Sequence, residues 1–284
     1  MFYKIITTIF LISIVSCINN KKLTVITDLP KQLTENSGIV SFNENFVWFV
    51  EDGGNADKIY QTNFKGKITN TLEIKNAKNK DWEDLTKDNK GNVYIGDIGN
   101  NENKRKDLVI YKIANPEKEK GNKIEAEEIK FYYPEQKKFP PKKKHLFYDS
   151  EALFYKDHYL YLVTKNRAHP FNGKAFVYKI PATKGNHEAQ LVDTFNICQD
   201  WNTCQITSAD ISPDSTQLVL LSYGKLFVVS DFTGDEFSKG KIKVIDLGTT
   251  NQLESVCFLN KNTLLLSDEK KGPTGRNMYS INLN

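Results

Sequence analysis

Short runs of β-branched and aromatic residues alternate along this chain with clusters of Gly, Asn, Asp and Pro, and helical periodicity is almost absent. The stretch 81–101, DWEDLTKDNKGNVYIGDIGNN, shows the repeating unit most clearly. It predicts a strand opening at Trp82-Glu83-Asp84-Leu85, a tight turn over Asp88 to Asn92, a second strand over Val93 to Ile95, and a polar loop beyond. Weaker copies recur. Unit one opens at Ser37 and continues through Phe46–Val50, Lys58–Tyr60 and Ile68–Ile74. Unit two opens at Glu83 and continues through Val93–Ile95, Leu108–Ile113 and Glu125–Tyr133. Unit three opens at Glu151, with Tyr159–Thr164, Ala175–Ile180 and Gln190–Ile197. Unit four opens near Thr207, with Leu218–Ser222, Leu226–Ser230 and Ile242–Leu247. Unit five opens at Glu254 and is followed only by Thr263–Ser267 and Asn277–Leu283.

The last unit is one strand short, and Leu23–Thr27 at the other end belongs to no unit. That pattern predicts an all-β fold, a five-bladed β-propeller closed by its own N-terminal strand, in which ring closure leaves only short protected edges. Six blades are the alternative if residues 114–148 hold a degenerate one, although that stretch carries one good strand and then a lysine- and proline-rich loop.

Alternation places one polar residue at the same step of each opening strand: Ser37, Glu83, Glu151, Thr207 and Glu254. Ser208 and Asp210 compete with Thr207, because the turn after that strand differs in length. Innermost propeller strands line the central channel, so the five side chains are expected to converge on its axis. Three carboxylates in a narrow channel repel unless they are protonated or share a cation, and an all-oxygen donor set suits calcium. The alternative is that each carboxylate is satisfied by neighbouring N–H groups and lysines. Loops after the second strands place Asp52, Asp97, Asn100, Arg105, Arg167 and Asp268 at the same end, a candidate mouth for an anionic or polyhydroxylated ligand. The plainer role of such Asp and Asn residues is to cap turns.

The N-terminus adds a cellular address. Ile5–Val15 is a short apolar run after Lys4, too short for a bilayer that needs about 20 residues, and it ends at Ile14-Val15-Ser16-Cys17. This predicts a lipoprotein signal over 1–16, lipidation of Cys17, a tether over 17–22 and the propeller over 23–284. The expected location is the bacterial cell envelope, at the outer membrane on its periplasmic side. Export permits a disulfide, and Cys198 and Cys204 flank a polar loop that they can close, whereas Cys257 lies in an apolar run.

Composition narrows the partners. Hydrophobic residues make up 39% of the chain, enough for a core, and the net charge of +4 comes from lysine, with Arg105, Arg167 and Arg276 the only arginines. A phosphate-reading surface would carry more arginine, so no nucleic-acid partner is expected. A monomer on its lipid anchor is expected, with a small molecule, a glycan or a protein at the propeller face. No G-x-S-x-G elbow, phosphate-binding Gly loop, H-E-x-x-H or dinucleotide fingerprint is present, and the four histidines have no ligand spacing.

The series Ser37, Glu83, Glu151, Thr207 and Glu254, one per blade, resembles the calcium-activated nucleotidases, the secreted apyrases. The resemblance implies a five-bladed fold and an axial calcium held by those residues directly and through water. The phrases Asp81-Trp82-Glu83-Asp84-Leu85, Gly96-Asp97-Ile98-Gly99-Asn100-Asn101 and Asp149-Ser150-Glu151-Ala152-Leu153 also resemble a group of exported bacterial propellers of unassigned function, themselves similar to esterase-like, phytase-related propellers. Two functions are therefore expected in competition. One is a metal-dependent hydrolase of phosphate-ester, phosphoanhydride or lactone substrates, with Asp52 or Asp97 activating water and Arg105 or Arg167 offsetting developing charge. The other is a non-catalytic propeller that docks a glycan or protein over a structural calcium.

Overall fold

The computed structural model describes residues 23–284, so the signal segment, Cys17 and the tether lie outside the described residues. Among the described residues it is all-β, with 3-10 turns as the only helical elements. Strand β1 (Thr24–Asp28) comes first. Blade one is β2 (Asn36–Ser41), β3 (Phe46–Glu51), β4 (Lys58–Asn63) and β5 (Ile68–Lys75). Blade two is β6 (Trp82–Lys87), β7 (Val93–Asp97), β8 (Val109–Ile113) and β9 (Lys123–Tyr132). Blade three is β10 (Ser150–Lys156), β11 (Tyr159–Thr164), β12 (Lys174–Pro181) and, after a short β13 (Gly185–Glu188), β14 (Gln190–Asn196). Blade four is β15 (Ile206–Ile211), β16 (Gln217–Ser222), β17 (Lys225–Ser230) and β18 (Lys241–Asp246). Blade five is β19 (Leu253–Phe258), β20 (Thr263–Asp268) and β21 (Asn277–Asn282), and its fourth strand is β1, antiparallel to β21. The first and last strands thus share one sheet. The opening strands β2, β6, β10, β15 and β19 pack in a ring, each against the next and the last against the first.

The core lies between blades. Trp48, Val50, Ile59 and Leu72 of blade one pack with Trp82, Leu85, Ile95 and Val109 of blade two. Equivalent layers fill the other four junctions, the last joining Leu33, Val47 and Phe49 to Leu265 and Met278. Trp48 and Phe49 enter opposite layers because successive strand residues face opposite sides of a sheet.

Two joints are not readable from periodicity. Strand β9 is long enough to pair in parallel with β5 at its start and with β13 at its end. Two blades become one nine-stranded sheet, and the outer edge of blade two is covered. Among the described residues, 114–148 contributes one strand, β9, and otherwise loops and 3-10 turns.

The inner edge of each opening strand also needs partners, because its N–H groups face the axis. Side chains of the preceding blade supply several. Asp84 accepts from Leu153 N at 3.0 Å and Thr86 Oγ1 from Tyr155 N at 3.2 Å. Ser208 Oγ accepts from Val256 N at 3.1 Å and Asp210 from Phe258 N at 2.8 Å. Thr86→Val, which keeps shape but removes the acceptor, is expected to cost about 1–2 kcal/mol in denaturant unfolding. An unchanged midpoint would mean that Tyr155 N finds another partner.

Candidate functional site

Each opening strand is interrupted by a register shift, and the polar residue expected on the axis sits in it. Ser37 falls between the paired residues Asn36 and Gly38, and Glu83 between Trp82 and Asp84. Glu151 falls between Ser150 and Ala152, Thr207 between Ile206 and Ser208, and Glu254 between Leu253 and Ser255. A bulge of this kind re-aims one side chain, and here it does so once per blade at one end of the channel. Ser208 and Asp210, the competitors of Thr207, are spent on backbone N–H groups of blade five.

The five do not play equal parts. Ser37 Oγ donates to the Trp82 carbonyl at 2.9 Å and Thr207 Oγ1 to the Leu253 carbonyl at 2.7 Å, so both hydroxyls tie one blade to the next. The three glutamates and Ser37 line a small mouth of about 190 Å³. A second ring joins them from the residues that follow the second strands: Asp52, Lys165, Tyr223 and Glu269. In blade two that place is taken by Ile98, which turns into the core.

Half of this mouth is internally neutralised. Glu151 accepts from Lys165 at 2.8 Å and from Arg167 at 2.7 Å, and Arg167 also holds Asp149 at 2.6 Å. Tyr223 donates to Glu254 at 2.7 Å, and Gln252 reaches Glu269 at 3.1 Å. The other half is different. Asp52, Asp81 and Glu83 bring one carboxylate oxygen each within 4.8 Å of one another. Among the described residues none of the three makes an ion pair, since Arg105 is committed to Asp97 and Asp107 and Arg167 to Asp149 and Glu151.

Burial and mutual repulsion show in their titration. Burial first, then the neighbouring Asp81 and Glu151, pushes Asp52 up to about 6. Burial and Asp149 push Asp81 up to about 6. Burial together with Glu151, Asp52 and Asp81 raises Glu83 well above the ordinary carboxylate range. In the same mouth, burial, Glu254 and Asp52 push Glu269 up to about 9.

The residues fit a hard cation. The donors are all oxygen, and space is kept beside them: a Cβ at Gly99 would stand 2.1 Å from Glu83 Oε1 and 2.5 Å from Asp81 Oδ2. Asp52, Asp81 and Glu83 are thus an acidic cluster able to bind a metal ion.

The remaining candidates lie behind this surface. Asp97 is fully buried, pairs with Arg105 at 2.8 Å and accepts from Asp81 N at 3.0 Å, so it positions a mouth residue without lining the mouth. Asn100 accepts from Arg105 N at 2.9 Å and donates to the Tyr148 carbonyl at 2.9 Å. Asp268 accepts from Tyr279 at 2.6 Å, Asn251 at 2.6 Å and Asn277 N at 2.7 Å. Of the loop residues expected at the mouth, Asp52 and Arg167 line it. Sequence reasoning missed Asp81, Lys165, Tyr223, Gln252 and Glu269; the available signal was position, since the first and fourth directly precede an opening strand and the other three directly follow a second strand. Elsewhere Cys198 and Cys204 form a disulfide and Cys257 is a buried free thiol. No helix among the described residues is long and apolar enough to cross a membrane.

No protein-family model and no curated protein sequence matches the chain. Solved structures do. The aldose sugar dehydrogenase of Streptomyces coelicolor, in its PQQ-bound form, superposes with a TM-score of 0.54 at 9% identity, over 92% of this chain and 98% of that one. A gluconolactonase of Xanthomonas campestris gives 0.45 at 11% identity, over 84% and 69%. A catalytically inactive virginiamycin B lyase of Staphylococcus aureus with quinupristin gives 0.44 at 15% identity, over 92% and 98%. At such identities the likeness to the dehydrogenase carries the architecture and no chemistry: the chain has a β-propeller fold.

Proposed function

We propose that this protein is an exported, lipid-anchored hydrolase that works at the propeller mouth with a calcium ion held by Asp52, Asp81 and Glu83. The observation that carries this reading is the gathering of three carboxylates within 4.8 Å on a ring of bulges, none of them in an ion pair among the described residues. Calcium there supplies Lewis-acid polarisation of an oxygen of the scissile group. Lys165 and Arg167, which also line the mouth, offer positive charge to a phosphoryl or carbonyl oxygen as its own charge grows. Glu269 keeps its proton at neutral pH, because burial and Glu254 hold it up to about 9, and it is the mouth's candidate to protonate a leaving oxygen. Phosphate esters, phosphoanhydrides and lactones all present such an oxygen. The protein works as a monomer, with lipid on Cys17 holding it to the envelope, at the outer membrane on its periplasmic side.

A second reading has its own observation. Lys165 and Arg167 are already engaged by Glu151 and Asp149, as expected of a face that binds without turning over. In that case the same ion is structural and the mouth docks a glycan or protein.

The test is turnover of p-nitrophenyl phosphate, ATP and glucono-lactone by the mature protein, with calcium and with chelator. The hydrolase reading expects calcium-dependent turnover of one class and a loss of about 100-fold in kcat for Arg167→Gln. Binding of calcium without turnover of any class would leave the second reading.

A further inference from the structure

Beside the mouth runs a larger groove of about 920 Å³, within the span of ordinary ligand sites. It lies between blades four and five and shares Arg167, Tyr223 and Gln252 with the mouth. Its floor is the turn between β16 and β17. Gly224 has a φ of +80° there, and a Cβ at that position would stand 2.5 Å from the Thr249 carbonyl oxygen, so backbone closes the floor.

Its rim carries an aromatic residue out of place for a core. Trp48 and Trp82 are fully buried, but Trp201 is 41% exposed. It is nevertheless fixed. The Cys198–Cys204 disulfide closes the loop that bears it. Asp200 accepts from Asn202 N at 3.0 Å and from Thr203 Oγ1 at 2.6 Å, and the Thr203 carbonyl accepts from Ser222 at 2.9 Å. Phe171 meets the indole edge-on at 5.4 Å between ring centroids. A rigid, exposed indole is a stacking platform obtained at little loss of conformational entropy.

The lining beneath it is suited to hydroxyl groups and to one anion. Asn202, Gln205 and Thr250 are neutral donors and acceptors. Lys225 and Lys271 line the groove and, among the described residues, make no ion pair; Lys225 reaches the Thr203 hydroxyl at 3.1 Å and acts on the Asp200 carboxylate from beyond ion-pair distance. The single carboxylate of the lining, Asp246, is turned to Gly248 N at 2.8 Å. Apolar ring face, hydroxyls and a negative charge occur together on an acidic sugar.

We propose that this groove binds an acidic saccharide, with one ring stacked on Trp201 and its anionic group met by Lys225 and Lys271. The inference rests on the hydrolase reading only in making the sugar the recognised part of a substrate whose reacting bond falls at the mouth. Binding itself needs no ion. Trp201 is the one exposed tryptophan of the three in the chain, so its emission reports occupancy directly.

The experiment titrates the detergent-solubilised full-length protein, in chelator, with trigalacturonic acid, mannose 6-phosphate and maltotriose. Trp201 emission and calorimetry are followed together. The expected result is that one of the two acidic sugars binds at least about ten-fold more tightly than maltotriose and changes Trp201 emission. A carboxylate or a phosphate as the anion is told by which of them binds. By calorimetry, Trp201→Ala and the Lys225→Ala/Lys271→Ala double variant should each weaken binding about ten-fold, with Trp201→Phe restoring most of the first loss. Lys90→Ala, in the exposed turn between β6 and β7, should leave it unchanged. Failure of both acidic sugars to bind, equal binding of maltotriose, or affinity unaltered in Trp201→Ala overturns the proposal, as does loss of binding in Lys90→Ala. Acidic-sugar binding by a protein that ignores calcium would keep this inference and remove the hydrolase reading; calcium binding with no sugar bound would do the reverse.

Discussion

Asp84→Ala is expected to destabilise the propeller by about 3–5 kcal/mol, lowering the melting temperature by about 10 °C. Asp84 is fully buried and its carboxylate gathers donors from three blades. Leu85 N lies at 2.9 Å in its own blade, Leu153 N at 3.0 Å in blade three, and Ser208 Oγ at 3.1 Å with Ala209 N at 3.4 Å in blade four. The side chain thus crosses the channel and ties the ring together beneath the mouth. Burial drives its titration upward and these donors draw it back. Alanine removes the acceptor and leaves buried N–H groups without partners, which costs more than the hydrogen bonds themselves contributed. Asp84→Asn should fall between, since it keeps one acceptor oxygen but turns an NH₂ toward donors. A loss below 1 kcal/mol in the alanine variant would mean that the ring is held by the inter-blade layers alone.

The second large effect is on pH. Asp52 and Asp81, each pushed up to about 6 by burial and neighbouring carboxylates, bind protons more tightly in the metal-free folded protein than when unfolded. The sign follows from linkage: their stabilising contribution is complete below the ordinary carboxylate pKa near 4 and is lost as pH rises through about 6. Calcium requires the deprotonated forms, so its apparent affinity moves the opposite way. Lowering pH from 7 to 5 should weaken calcium binding at least about 100-fold, one factor of about ten for each of Asp52 and Asp81, with Glu83, raised well above its ordinary range, adding to it. Calorimetric titration at the two pH values measures this directly. Equal affinities at both would remove these two residues from the ion's donor set.

Much of the architecture was legible because each blade repeats one pattern. Alternation located the opening strands, and Ser37, Glu83, Glu151, Thr207 and Glu254 were found together because all five occupy the same register shift. The orphan strand at Thr24 and the short last blade carried the ring closure. The mouth itself was less legible. Register decides which of two adjacent residues faces it, and a step of one moves a side chain to the other face. Asp97 and Asp268 read as loop carboxylates, yet they pair in register with Trp82 and Leu253 and are buried. The next residue along is the one that faces the channel in four blades: Asp52, Lys165, Tyr223 and Glu269. Their types differ from blade to blade, so no residue pattern marks them. Strand β13 escaped notice because Gly185–Glu188 has no apolar alternation, its role being to cover an edge.

The central claim is a calcium ion among Asp52, Asp81 and Glu83. Its most direct test is the melting temperature of the mature protein at pH 7.5, with calcium and with chelator, beside an Asp52→Asn/Glu83→Gln variant. At a calcium concentration 100-fold above Kd, binding stabilises the folded state by about 2.7 kcal/mol, so a rise of several degrees is predicted for the parent and none for the variant. A parent indifferent to calcium, or a variant that responds as the parent does, would contradict the site.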